Sequence, residues 1–264
     1  MNETIGVIGA GRMGLPIIGH LAGKGFAVWA TDIDSSKRAL VQARKAQWAS
    51  DLTALCEQCS VMLVCVGFDH ELRRLFAQLK PKPGAIVAVL STVNPRTVQE
   101  LAKEAQARGF DLVDSTVCRG GRAADEGTLL SFVGGAAALV ERLTPVLRAY
   151  SSDVVHSGAV GSAQVAKAAN NLILWACLVA DHEGLALASR YGLDSEALRR
   201  ALLLSSAAND ALAKWGTQTM AWAEDDMAIV ADMAGEFGLS LPQARLNREL
   251  CRALKPRRYK LDEY

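Results

Sequence analysis

The chain has 264 residues, half of them hydrophobic and 22% charged, which suits a globular protein with one large core or two modest ones and excludes disorder as the default. Lysine and arginine number 29 against 28 aspartates and glutamates, so no net field draws the chain to nucleic acid or anionic lipid, and a small-molecule partner is expected. Six cysteines in a chain of this size point to reduced thiols rather than to a disulfide framework.

The opening residues, MNETIGVIG, lack the basic start, long apolar run and small-residue cleavage site of a secretory signal, which predicts a cytoplasmic protein. TIGVIG reads as a strand and runs into a loop with Gly9, Gly11 and Gly14, followed by an apolar helix over 13–23 and a second strand, FAVWATD, ending at Asp32. That order is the dinucleotide-binding one. Gly9 permits the tight turn, Gly11 lets the backbone approach a pyrophosphate, and Gly14 lets the helix pack on the strand. The helix N-terminus offers unpaired N–H groups to phosphate, so Arg12 and Met13, inside the loop, join the cofactor-site candidates. Asp32 lies 23 residues after Gly9, where a carboxylate accepts the ribose hydroxyls and repels a 2′-phosphate, so NAD is favoured over NADP. Asp34 adds to that repulsion, and Lys37 and Arg38 oppose it if they curl back.

Cys56 and Cys59 form a CxxC. A zinc ribbon needs two more ligands at similar spacing, and a redox dithiol opens a helix after a strand, whereas CEQC precedes one, so neither is expected and no metal site is predicted. Further strands are SVMLVCV, whose last residue Val66 is placed at the cofactor site, then AIVAVLS, FDLVDS, LLSFVGG and DVVHS. Strands alternating with helical patterns through residue 157 predict a doubly wound parallel α/β sheet of the Rossmann type. After Gly161 the run 162–192 has no proline and apolar positions at helical spacing, which predicts one helix of about 30 residues, ~45 Å long. Its most apolar part, 172–180, is bracketed by Asn170 and Asn171 and by Asp181, His182 and Glu183, too short for a membrane span. Ala186 stands where a zinc-binding HExxH needs its second histidine. No strand follows, so the predicted domains are 1–157, binding the dinucleotide, and 158–264, all-helical and hung on the long helix. The basic run KPRRYK at 255–260 is balanced by Asp262 and Glu263 and reads as a solvated end; Leu172, Trp175 and Leu178 on the long helix suggest buried contacts and a dimer.

Four segments together, GAGRMGLP in the glycine loop, STVNP at 91–95, DSTVCRGGRAADEGTLLSFVGG at 114–135 and GAVGSAQVAKAANN at 158–171, resemble the β-hydroxyacid dehydrogenases of the 3-hydroxyisobutyrate dehydrogenase and tartronate semialdehyde reductase type. The motifs occur in the family's order and cover nearly the whole chain. The resemblance implies reversible oxidation of a small 3-hydroxy acid, a helical domain that builds the substrate site, and a homodimer or homotetramer. It places Thr92 at the nicotinamide end of the cofactor, with Ser91 beside it as a substrate contact. It makes 118–120 the loop that holds the substrate carboxylate, with Cys118 at the family's serine, Arg119 at its first glycine, and Gly120 following. Backbone N–H groups bind an anion there regardless of side chain, and Arg119 suggests a second anionic group on the substrate. Lys167 and Asn171 stand at the catalytic lysine and its companion asparagine, four residues apart on one helix face. A carbinol yields its hydride only as its O–H proton leaves, and one positioned lysine serves both directions. Asp225 occupies the place of a second lysine, Asp226 that of the family's aspartate, and the helical domain is abbreviated between about 205 and 225. Asp225 and Cys118 keep two alternatives open, an imine reductase and a non-catalytic NAD-binding module.

Overall fold

The computed structural model describes residues 3–263, and the chain divides into two compact units between Lys167 and Ala168. The first unit runs β1 (Thr4–Ile8), α1 (Gly14–Gly23), β2 (Ala27–Thr31), α2 (Arg38–Ala43), β3 (Gln47–Trp48), α3 (Leu52–Gln58) and β4 (Val61–Val64). It continues with α4 (Asp69–Gln78), β5 (Ile86–Val89), α5 (Pro95–Ala107), β6 (Asp111–Cys118), α6 (Gly120–Glu126), β7 (Leu129–Gly134), α7 (Ala137–Leu147) and β8 (Ser151–Gly158). The strands form one sheet in the order β3-β2-β1-β4-β5-β6-β7-β8.

Strands β4 and β5 are apolar and buried at every residue because helices cover both faces. Val61 and Leu63 pack with α1 and α7 residues such as Ile17 and Leu143. Met62 and Val64 face the opposite way, against Leu55, Phe76 and Val98. Chain order reverses at β1, which lies between β2 and β4, and a ligand crevice opens outside the strand ends at such a point. Ile8 pairs with Thr31 and Val64, and Val64 with Val89, so the loops after β1, β2, β4 and β5 leave the sheet along one edge.

Two features of the sheet were not expected. β3 is a two-residue strand, too short to carry a periodicity. β7 runs antiparallel to β6, because α6 and its flanks supply only a short connection and a parallel crossover needs a dozen residues or more.

Helix α8 (Ser162–Arg190, 29 residues) begins in the first unit and continues into the second, followed by α9 (Ser195–Leu202), α10 (Asp210–Ala213), α11 (Ala223–Glu236) and α12 (Pro242–Leu254). By length and mean hydropathy, 1.4 over its most apolar stretch, α8 matches a membrane-crossing helix. It also carries core side chains: Trp175 and Leu178 pack with Met220, Met227, Val230 and Cys251. The Trp175 indole N–H donates to Asp226 at 2.9 Å, which satisfies both buried polar groups. His182 is fully buried; its Nδ1 donates to the Leu178 carbonyl at 2.7 Å and its Nε2 accepts the Tyr259 N–H at 2.8 Å, so the ring is neutral.

Candidate active site

The glycine loop is built as its spacing requires. A Cβ at Gly14 would lie 1.9 Å from the Gly9 carbonyl oxygen, and one at Gly9, whose φ is +98°, would lie 2.3 Å from that of Cys65. No side chain fits either place. Gly11 meets nothing within 4 Å, so its missing side chain leaves open space beside the helix N-terminus, where a diphosphate would approach the backbone. Met13 closes the first turn of α1 and packs on the core. Arg12 points to Asp125 at the end of α6, Nη1 and Nη2 donating to its two oxygens at 2.7 and 2.6 Å. That guanidinium holds the Asp125 carboxyl below the usual range.

Asp32 follows β2 and accepts the Ala10 N–H at 2.6 Å and the Asp34 N–H at 2.9 Å, which ties the glycine loop to the place where an adenine ribose would sit. Asp34 turns into a short 3₁₀ segment, accepting from the Ser36 N–H at 3.0 Å, and Lys37 stands 3.9 Å from it. Beside the loop is a cleft of about 330 Å³ in which Lys37 and Arg44 join Arg12 and Asp125 around Ala10 and Gly11. Lys37, beside one of the carboxylates expected to exclude a 2′-phosphate, thus shares this cleft with Arg44.

At the ends of β4 and β5, Ser91 is nearly fully buried: its hydroxyl accepts the Val66 N–H at 2.9 Å and donates to the Val64 carbonyl at 3.4 Å. The side chain expected to meet substrate thus braces the loop that carries Val66. Thr92, the next residue, is half-buried. Its loop is clamped by Gln164, whose Oε1 accepts the Val93 N–H at 3.0 Å and whose Nε2 donates to the Ser91 carbonyl at 2.9 Å. Gln164 is itself held by Asp114, which accepts the Gly161 and Gln164 N–H groups at 2.8 and 3.0 Å and so caps the start of α8. Burial raises the Asp114 pKa, and the N–H bonds oppose that rise. Neither residue figured among the sequence candidates; the available signal was that Gln164 lies three residues before Lys167, on the same helix face.

β6 runs four residues beyond its pairing with β5, still paired with β7, and delivers Cys118, Arg119 and Gly120. Cys118 is buried. Arg119 adopts φ +82°, a left-handed conformation costing a non-glycine residue roughly 1–2 kcal/mol, and Gly120 follows at +76°. This explains why the related motif has glycine at the position Arg119 occupies. The Arg119 side chain turns to β7 and β8 instead of presenting itself to a second substrate anion: Nη1 donates to the Thr128 carbonyl at 3.1 Å and to Ser152 Oγ and Asp153 Oδ2, each at 2.7 Å. Lys167 comes to this loop, its Nζ donating to the Val117 carbonyl at 2.7 Å. Asn171 lies one turn further along α8, is buried, and accepts from the Asn170 amide at 3.0 Å. In the second unit Asp225 is exposed, while Asp226 is buried.

Cys56, Cys59 and Cys65 take no part. Cys56 and Cys59 lie in the core, and burial pushes the Cys59 thiol up to about 12, as it does that of Cys65 beside the glycine loop. Both thiols stay protonated and inert at neutral pH.

Residues 4–158 match the model of the NAD binding domain of 6-phosphogluconate dehydrogenase, and residues 161–263 the model of the NAD-binding domain of NADP-dependent 3-hydroxyisobutyrate dehydrogenase. The chain is 31% identical over 258 residues to 2-(hydroxymethyl)glutarate dehydrogenase of Eubacterium barkeri, covering 93% of this chain and 81% of that one. It is 31% identical over 215 residues to 3-hydroxyisobutyrate dehydrogenase of Pseudomonas aeruginosa, covering 79% and 72%. Among solved structures, Mycobacterium tuberculosis 3-hydroxyisobutyrate dehydrogenase with L-serine superposes with a TM-score of 0.88 at 22% identity, over 97% of this chain and 94% of that one, which shows the shared fold.

Proposed function

The chain belongs to the β-hydroxyacid dehydrogenase family, and on that premise we propose that it is an NAD-dependent dehydrogenase of a small 3-hydroxy acid, with Lys167 as the proton donor and acceptor. Residues 9–14 and Asp32 fit a dinucleotide: the open space at Gly11 receives the diphosphate, and Asp32 the ribose hydroxyls. A nicotinamide held there would supply the hydride acceptor for oxidation of the carbinol carbon and the hydride donor for the reverse reaction. The chain's own part is to hold the acid and move the proton.

The observation that carries this reading is the Lys167 ammonium, 2.7 Å from the Val117 carbonyl and hence beside the N–H groups of 118–120. Those groups bind the carboxylate, and Lys167 gives a proton to the forming alkoxide in reduction or, deprotonated, removes the hydroxyl proton in oxidation. Asn171 accepts from Asn170, which leaves its NH₂ to donate to the substrate hydroxyl. Thr92, on the loop that Gln164 clamps, would line the nicotinamide end. Lys167→Ala lowers kcat by roughly 10²–10⁴-fold while NADH still binds, measured by NADH absorbance over a panel of 3-hydroxy acids including 3-hydroxyisobutyrate and L-serine. Unchanged turnover in that variant would refute the assignment.

A second reading of the cofactor rests on the cleft: Lys37 and Arg44 stand where they would attract a 2′-phosphate, which supports use of NADP beside NAD. Parallel titration with the two cofactors decides it. Exposed apolar side chains in the second unit, Ile173 at 63%, Leu187 at 62% and Phe237 at 76%, support a homodimer or homotetramer that covers them.

A further inference from the structure

α6 follows directly on the carboxylate loop, and both of its ends are tied down. At its C-terminal end the Arg12–Asp125 pair is bidentate, with oxygens at 2.7 and 2.6 Å. The guanidinium lies flat over Gly121, where a Cβ would come within 2.5–2.7 Å of its atoms. Two turns along α1, His20 Nε2 donates to the Ala124 and Asp125 carbonyls at 3.0 and 3.1 Å. The His20 ring sits over Gly127, where a Cβ would be 2.9 Å away. Where α6 begins, Arg119 is pinned to Thr128, Ser152 and Asp153. Both glycines are thus explained by what packs on them, and a helix of seven residues becomes a plug between two loops.

We propose that Asp125 is a positioning residue that couples the dinucleotide loop to the carboxylate loop, so that each ligand tightens the other. This rests on the reading above of 9–14 as the dinucleotide loop and 118–120 as the carboxylate loop. Arg12 belongs to the glycine loop, and a dinucleotide held by the N–H groups there restrains its backbone. A bidentate guanidinium–carboxylate pair fixes distance and orientation together, which a single point contact does not. The restraint passes through Asp125 to α6 and to the N–H of Gly120 at its start. By linkage the coupling is reciprocal: carboxylate on 118–120 must tighten the dinucleotide by the same factor.

The test is backbone hydrogen exchange on the full chain with and without NADH, in the wild type, Asp125→Asn and Gly121→Ala. The second variant pushes the guanidinium aside without altering any charge. In the wild type NADH slows exchange in both 9–14 and 118–127; in both variants it slows 9–14 alone. The KM for the acid rises about threefold to fivefold, the scale of an exposed bidentate pair, while kcat and the Kd of NADH without acid stay within about twofold. NADH protection of 118–127 that persists in both variants would overturn the proposal. If NADH leaves 9–14 unprotected in the wild type, the cofactor reading fails instead. The unliganded chains then judge the latch: Asp125→Asn speeds exchange in 118–127 if the latch exists, and unaltered exchange there overturns it.

Discussion

Removing the Gln164 side chain is the sharpest test of how this site is assembled. The amide is 1% exposed and makes two bonds to one loop, accepting from the Val93 N–H at 3.0 Å and donating to the Ser91 carbonyl at 2.9 Å. In Gln164→Ala both backbone groups lose these partners beneath buried residues, and each such loss costs about 1–3 kcal/mol. Water entering the vacated volume recovers part of that, so the expected destabilisation is roughly 2–4 kcal/mol. Gln164→Glu keeps the acceptor for Val93 but faces the Ser91 carbonyl with a carboxylate oxygen, so it does not rescue. Thr92 sits between the two clamped residues, and its loop loosens without any change to Thr92 itself. Urea denaturation gives the stability, and steady-state kinetics give a kcat/KM lowered through both cofactor and acid. A variant within about 0.5 kcal/mol of the wild type with unaltered kinetics would refute the clamp.

Two further outcomes follow from the same kind of geometry. Gly11→Ala folds with near wild-type stability, because nothing lies within 4 Å of its Cβ, yet weakens NADH binding; Gly14→Ala, whose Cβ would meet the Gly9 carbonyl at 1.9 Å, disrupts the turn and lowers the urea midpoint. Equal stability of the two variants would contradict the loop geometry. His182 sets a pH dependence in the second unit. Burial holds its pKa below the usual 6.5, so the unfolded chain binds the proton first, and the stability His182 contributes is present above about pH 6.5 and lost as pH falls toward its lowered folded value. Protonated Nε2 cannot accept the Tyr259 N–H. His182→Gln should flatten the fall in urea midpoint over that range, and a slope equal to wild type would show that another group titrates.

Local pattern was enough for much of the molecule. Seven strands, the glycine loop, Asp32 and the long helix were legible because each depends on residues close in the chain: side-chain period, glycine spacing, a run without proline. α8 ends within two residues of its expected end, and Lys167 Nζ donates to the Val117 carbonyl at the end of β6. What sequence spacing does not carry is the partner of a polar side chain. Ser91 and Arg119 were expected at the substrate, yet they bond to Val66, Val64, Ser152 and Asp153, 25 to 34 residues away. Gln164 reaches across 71 and 73 residues to Val93 and Ser91. Arg12 finds Asp125 across 113.

The sequence by itself determined where the glycine loop lies and most of the strands that build the sheet, since these follow from the steric demands of glycine and from hydrophobic period, whereas Lys167 was singled out by the family resemblance alone. The tertiary structure alone decided that β7 turns antiparallel, that Arg119 is braced by Asp153, and that Arg12 of the glycine loop pairs with Asp125 of α6. Each of these is a pairing between segments distant in the chain. A donor's identity is written in its residue type, but its acceptor is chosen only when the sheet brings both to one edge.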